Sequence, residues 1–197
     1  MIKKTNQFNI VIVGTGGQGL ITILQVLAEA AMLEGYDVKT SELHGLSQRG
    51  GSVEVHVRFG KKTYSPMVPL ASADLVLALE AQESLRAIKF ASSKGNFLIN
   101  DQIIPIPSQK PMKAEEVLVL VKKTTKDAKV VPSFSLCSEK FGTGVTSGIF
   151  LVALSSLSGI LPISPNTLLK AIKKVIPQKY LELNLKTFDL AKDYDKK

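Results

Sequence analysis

Residues 8–13, FNIVIV, are almost wholly apolar, and they run directly into GTGGQG at 14–19 and then into LITILQVLAEAAMLEG. A short continuous apolar run is what a strand buried on both faces needs. The long Leu- and Ala-rich segment after the glycines predicts a helix packed deep against a sheet. Gly35 ends that helix, and YDVKTSEL reads as a second strand. A strand, a glycine loop, a helix and a strand in that order restrict the chain to α/β architectures.

The rest of the chain agrees. Val53, Val55, Val57 and Phe59 alternate with Glu54, His56 and Arg58, a period of two that predicts a strand with one buried face and one wet or docked face. DLVLALE and GNFLIND predict further buried strands, AQESLRAIKF and residues 113–126 helices, and AKVVPS a strand. GKK reads as a turn, TYSPMVP as a short extended return, and QIIPIPSQKPM as irregular. Ser164 followed by Pro165 has the form of an N-cap with proline at the first helical position, and Pro177 opens a last helix. The expectation is one domain over residues 1–197. It is a three-layer α/β fold with a largely parallel sheet, a Rossmann-like glycine loop and a helical C-terminal third.

Composition narrows the function. The net charge is +8, yet arginine occurs only at Arg49, Arg58 and Arg86, and the sparse aromatics do not interleave with the lysines. Nucleic-acid readers favour the arginine fork and stacking platforms, so the charge reads as a solvated lysine surface. One cysteine, Cys137, and two histidines, His44 and His56, are too few for an iron–sulfur cluster, a zinc site or an internal disulfide. The basic-then-apolar start carries no small-residue cleavage site, and GIFLVALSSLSGILPI is broken by serines, Gly159 and Pro162. A soluble, cytoplasmic protein without membrane or nucleic-acid partners is expected.

GTGGQG matches the spacing G-x-G-x-x-G. Gly14 allows the tight turn, Gly16 a close approach of backbone to phosphate, and Gly19 close helix packing; Gly17 and Gln18 complete the loop. The helix start offers unpaired N–H groups to an anion. Glu42 stands near the end of the second strand, where a dinucleotide fold places its ribose-binding carboxylate. A nicotinamide-dependent oxidoreductase and a nucleotide-binding regulatory module are therefore both open, as is a loop that serves packing alone.

ELHGLSQRGG at 42–51 asks for more than a connection. His44, Gly45, Ser47, Gln48, Arg49, Gly50 and Gly51 combine orientable donors, a bidentate cation and glycines that let backbone pass close to another surface. An internal salt bridge of Arg49 and a simple turn remain the bland alternative. GTGGQG taken with HGLSQRGGSVEVHVRFG, YSPMVP and ADLVLALEAQESLRA resembles the gamma-type subunits of 2-oxoacid:ferredoxin oxidoreductases, most closely those of the indolepyruvate branch. The likeness continues through INDQIIP to IPQKYLELNLKTFD, nearly the whole chain.

The resemblance implies a non-redox subunit, inactive alone, of an enzyme for coenzyme A-dependent oxidative decarboxylation of indolepyruvate or another arylpyruvate, with the gamma subunit of another 2-oxoacid:ferredoxin oxidoreductase as the alternative. Thiamine diphosphate, magnesium and iron–sulfur clusters are then expected in a larger partner subunit, with ferredoxin reached through the complex. Residues 44–51 are expected to dock onto that partner and shape the coenzyme A cleft. Gly14, Gly16, Gly17, Gln18, Gly19 and Arg49 are the phosphate or coenzyme A candidates. Glu80 and Asn100, at the ends of buried strands on the same sheet edge, are further cleft candidates, with ordinary capping as the alternative reading. Ser147, Val152 and Thr187 depart from the pattern, standing where relatives carry Asn, Gly and Ala, and bear on the substrate.

Overall fold

The computed structural model describes residues 5–45, 50–105 and 112–196. Six strands form one sheet: β1 (Gln7–Thr15), β2 (Asp37–His44), β3 (Ser52–Gly60), β4 (Ala73–Ala78), β5 (Ala91–Asn100) and β6 (Ala128–Val131). Their order across the sheet is β2-β3-β1-β4-β5-β6. The strands β1, β4, β5 and β6 are mutually parallel, and β3 is antiparallel to both of its neighbours. The sheet is largely parallel, as expected, with β3 the exception.

The insertion of β3 corrects the expectation of a simple β–loop–α–β unit. The second strand runs in the direction of β1 but lies beyond β3, at the edge, where Glu42 is exposed and pairs with Val55. Two inter-strand spacings, about 10 Å, therefore separate β2 from β1. The ribose-binding geometry of a dinucleotide fold requires β2 beside β1 and is not formed.

Alternation sorts the central strands between two cores. Ile10, Ile12, Leu75, Leu77 and Leu98 face one, and Val11, Val13, Val76, Ala78, Phe97 and Ile99 face the other. The first core is roofed by α1 (Leu20–Leu33), α5 (Ser147–Leu157), α6 (Pro165–Val175) and α7 (Gln178–Asp195). The second is closed by the four-residue α2 (Ser84–Ala87), a 3₁₀ turn at Ile88–Phe90 and α3 (Ala114–Val121). A further helix, α4 (Ser133–Phe141), runs between β6 and α5. These are the three layers.

The long apolar stretch of the last third becomes α5, buried at every position from Ser147 to Ser156. Its serines are satisfied locally: Ser155 Oγ donates to Val152 O at 2.8 Å and Ser156 Oγ to Ile163 O at 2.8 Å. Among the described residues no helix is long and apolar enough to cross a membrane. The α6 start is capped as expected, with Ser164 Oγ accepting from Thr167 N at 3.1 Å.

Three other expectations change. The helix over residues 81–90 is only α2 plus the 3₁₀ turn. The helix expected to reach residue 126 stops at Val121, because Thr125 turns inward and donates its hydroxyl to Gly95 O. The polar face of β3 is covered by the chain itself. His56 is 0% exposed; its Nδ1 accepts from Val68 N at 3.1 Å, its Nε2 donates to Glu54 Oε1 at 2.9 Å, and Phe90 packs edge-on against its ring. Arg58 donates from Nη1 to the carbonyls of Ser65 and Met67. Residues 61–72 thus strap that face.

On the other face of β3, Phe59 is fully buried against the rings of Phe8 and Tyr36. Phe59→Ala is expected to destabilise the fold by roughly 3–5 kcal/mol, read as a lower midpoint in urea unfolding.

Candidate functional site

The glycine loop and the 42–51 segment meet. The β1–β3 ladder runs to Thr15 opposite Ser52 and continues one step beyond the strands. Gly16 N donates to Gly51 O at 2.8 Å, and Gly50 N donates to Gly16 O at 3.2 Å. At the place where a phosphate cradle presents a donor, Gly16 N–H is thus already paired. Gly17 and Gly19 hold φ of 106° and 76°, left-handed values that favour glycine, and a Cβ on either would meet nothing within 4 Å. Their open faces and the first turn of α1 are the exposed part of the loop.

Gln18 turns inward as a brace. Its Oε1 accepts from Thr15 N at 2.7 Å, and its Nε2 donates to Leu79 O at 3.0 Å and to Gln102 Oε1 at 2.7 Å. Gly14 makes room for it, since a Cβ there would stand 2.6 Å from Gln18 Oε1. The glycine at 14 and the glutamine at 18 are one device: a side-chain amide that ties the loop to the ends of β4 and β5.

Two clefts flank the joined loops. One, of about 410 Å³, is lined by Gly16, Gly17, Gly19, Leu20, Ile21, His44 and Val53. The other, of about 270 Å³, is more polar and includes His44, Gly45, Ser52, Glu54, Glu83, Arg86 and Lys89. His44 and Val53 line both. Leu43 and Ile21, on the two rims, are 43% and 40% exposed. Ser52 Oγ donates to Glu83 Oε1 at 2.8 Å, which anchors the start of β3 to the segment leading into α2. Ser47, Gln48 and Arg49 lie outside the described residues.

Glu80 and Asn100 stand at the same sheet edge, both buried. Glu80 accepts from Glu83 N at 2.8 Å and from Ile104 N at 3.0 Å. Burial raises its pKa above the ordinary 4.5, the backbone N–H groups of Ile104, Glu83 and Gln82 opposing that and the Glu83 carboxylate adding to it. Asn100 donates to Leu79 O at 2.9 Å and to Ser147 Oγ at 3.2 Å, and accepts from Ser133 Oγ and from Phe134 N at 2.9 Å. One amide therefore gathers β4, β5 and the starts of α4 and α5.

The departures from the family pattern fall on the same framework. Ser147 is the partner of Asn100, Val152 is wholly buried, and Thr187 Oγ1 donates to Thr146 Oγ1 at 2.7 Å across the α5–α7 contact. Sequence reasoning did not single out Ser52, Glu83, Arg86, Lys89 or Gln102. Ser52 is adjacent to the paired glycines and starts the alternating strand, a usable signal; Gln102 is brought in by the sheet order and has none.

The model of the family described as pyruvate ferredoxin/flavodoxin oxidoreductase matches residues 9–194, and the chain belongs to that family. It is 35% identical over 190 residues to indolepyruvate oxidoreductase subunit IorB of Archaeoglobus fulgidus, covering 93% of each chain. The fold matches the crystal structure of the gamma subunit of a keto/oxoacid ferredoxin oxidoreductase from Geobacter sulfurreducens with a TM-score of 0.70 at 20% identity, covering 95% of this chain and 98% of that one. It also matches part of the 2-oxoglutarate:ferredoxin oxidoreductase of Magnetococcus marinus, solved with 2-oxoglutarate, coenzyme A and succinyl-CoA bound. There the TM-score is 0.71 at 22% identity, and the match spans 98% of this chain but 31% of the larger one.

Gly14→Ala is expected to displace the Gln18 carbonyl and destabilise the protein by about 1–3 kcal/mol, the range for stranding buried polar groups. Gln18→Ala is expected to act through the same brace, so the double variant loses less than the sum of the singles in urea titrations.

For Glu80 the folded state holds its proton more tightly than the unfolded chain. Its contribution therefore favours folding below about pH 4.5 and is lost as pH rises through the raised folded value. The stability of the wild type relative to Glu80→Gln is expected to fall as pH rises above about 4.5. A flat difference in paired urea titrations contradicts this.

Proposed function

We propose that this chain is the non-redox subunit of a thiamine diphosphate- and iron–sulfur-dependent 2-oxoacid:ferredoxin oxidoreductase, acting on indolepyruvate or another arylpyruvate with coenzyme A as cosubstrate. The observation that carries the reading is the joining of Gly16 to Gly50 and Gly51, which gathers both glycine-rich segments of the family pattern on one accessible edge. The similarity to the IorB subunit supports the indolepyruvate branch. The neighbour solved with coenzyme A supports the cosubstrate.

A single thiol does not fit an iron–sulfur cluster. That thiol, Cys137, is buried, and burial raises its pKa away from the thiolate form. Among the described residues no group of three or more His, Cys, Asp or Glu side chains is placed to hold a metal ion. A larger partner subunit in the cytoplasm holds thiamine diphosphate, magnesium and the clusters, which supply decarboxylation and the path for electrons to ferredoxin.

In this reading the present chain binds and orients. His44 and Gly45, with Ser47, Gln48, Arg49, Gly50 and Gly51, dock on the partner, with Leu43 and Ile21 adding apolar area at the rims. The open faces of Gly17 and Gly19 and the start of α1 offer N–H groups to a coenzyme A phosphate, and Arg49 its guanidinium fork. Gly14 and Gln18 hold that loop in shape from beneath. Glu80 and Asn100 hold the floor of the edge from which the docking loops rise.

Anaerobic affinity purification of the tagged chain from its own cells tests the assignment. A larger co-eluting protein, iron–sulfur absorbance and arylpyruvate-dependent viologen reduction are expected together, the reduction absent from the isolated chain. Elution alone, colourless and inactive, sinks the docking assignment. On the recovered complex, Arg49→Ala is expected to weaken coenzyme A; unchanged affinity removes Arg49 from that site.

A further inference from the structure

The strap over residues 61–72 is held more firmly than its covering role needs. Thr63 N donates to Asp37 Oδ2 of β2 at 2.8 Å. Arg58 of β3 donates to the carbonyls of Ser65 and Met67, each at 2.9 Å. Val68 N donates to His56 Nδ1, Ala71 N donates to Lys89 O at 2.9 Å, and Asn9 of β1 donates to Ser72 O at 2.9 Å. Three strands and the 3₁₀ turn thus fix the backbone of the strap along its length. They keep even Ala71 at a φ of 54°, a left-handed value that a residue with a Cβ holds only where its surroundings impose it.

Of the side chains on the strap, only Thr63 and Val68 are buried. Tyr64, Met67 and Leu70 face solvent, 82%, 40% and 65% exposed. One such side chain is ordinary on a protein surface. Three of them between residues 64 and 70, on a backbone already fixed, form an apolar patch that a partner covers with little further loss of entropy. Tyr and Met are also enriched at the centres of protein interfaces.

The rim of the patch is basic. Lys61, Lys62 and Lys89 are exposed, and among the described residues none of them pairs with a carboxylate. The neighbouring carboxylates are taken: Asp37 by Lys39 and Thr63 N, and Glu83 by Arg86 and Ser52. A second copy of this chain brings the same lysines against these, so like charges oppose self-pairing. Three side chains also fall short of the ~800 Å² per partner of a stable interface, so the patch is one part of a larger contact. Lys89 supplies the continuity. Its carbonyl holds Ala71 of the strap, and it lines the polar cleft beside His44.

We propose that the strap is a second docking surface, which seats an apolar patch rimmed by carboxylates on the larger subunit of the assembly. The inference rests on the subunit assignment above and extends the contact from the 44–51 segment, through the polar cleft, along the face of β3. Tyr64, Met67 and Leu70 meet the apolar centre, and Lys61, Lys62 and Lys89 meet the carboxylates.

The test is recovery of the larger subunit on tagged chains purified from their own cells, wild type beside three variants. Tyr64→Ser/Leu70→Asp is expected to recover about tenfold less partner. Lys62→Glu/Lys89→Glu is expected to recover about threefold less, with added salt narrowing the gap. Val119→Asp, which alters a side chain 63% exposed on α3, is expected to recover as much as the wild type. Zero-length carbodiimide coupling of the wild-type complex reads the same contact without a variant: Lys61, Lys62 or Lys89 is expected to be joined to carboxylates of the larger subunit. If the wild type elutes alone, the subunit assignment fails and the strap surface falls with it. If the wild type brings the larger subunit and Tyr64→Ser/Leu70→Asp, folded by its urea midpoint, brings it equally, the strap proposal alone falls. Couplings of these lysines confined to this chain or to a second copy of it overturn it as well.

Discussion

The antiparallel ladder between β1 and β3 is the constraint from which the rest of the molecule follows. It runs the full length of both strands and one step past them, into Gly16 and the paired glycines at 50 and 51. Because β3 occupies the place beside β1, β2 is driven to the edge of the sheet. Because β3 lies near that edge, its polar face needs a cover, which the strap over residues 61–72 and Phe90 provide. The doubly bonded, fully buried His56 marks how completely that face is closed. The bond at Gly16 also fixes how near the two glycine-rich loops stand. Any surface they offer jointly depends on it.

The sequence carried some of this plainly. The apolar run at 8–13, the glycines after it and the helix beyond them could form only one local structure. Ser164 with Pro165 announced its helix by the chemistry of the cap. The spacing of residues on β3 announced a strand. Spacing does not state which strand a strand pairs with, and so β3 beside β1 was not legible, nor was the loss of a role for Glu42. The turn of Thr125 away from its helix was hidden for a similar reason, since its acceptor, Gly95 O, is 30 residues distant.

The site was legible as two motifs and illegible as a surface. Gly14 to Gly19 read as a phosphate cradle by spacing, yet Gly16 donates to the neighbouring loop and Gln18 folds beneath. Both facts depend on residues far along the chain, Gly51 and Leu79. Family membership explains why the two motifs occur together. The hydrogen bonds explain what that co-occurrence does mechanically: each loop is the other's template, and neither is built to stand alone.

The carbonyl of Leu79 accepts from Gln18 at 3.0 Å and from Asn100 at 2.9 Å, using both of its lone pairs, while Leu79 N donates to Val13 O. Through Asn100 that peptide also holds the starts of α4 and α5. The glycine loop and the C-terminal helices therefore share a single joint. Regions that share bonds of this kind open together in one cooperative unit. The glycine loop should consequently be as long-lived as the helical layer it is tied to, and a force applied to it would be felt at the base of that layer before reaching the outer strands.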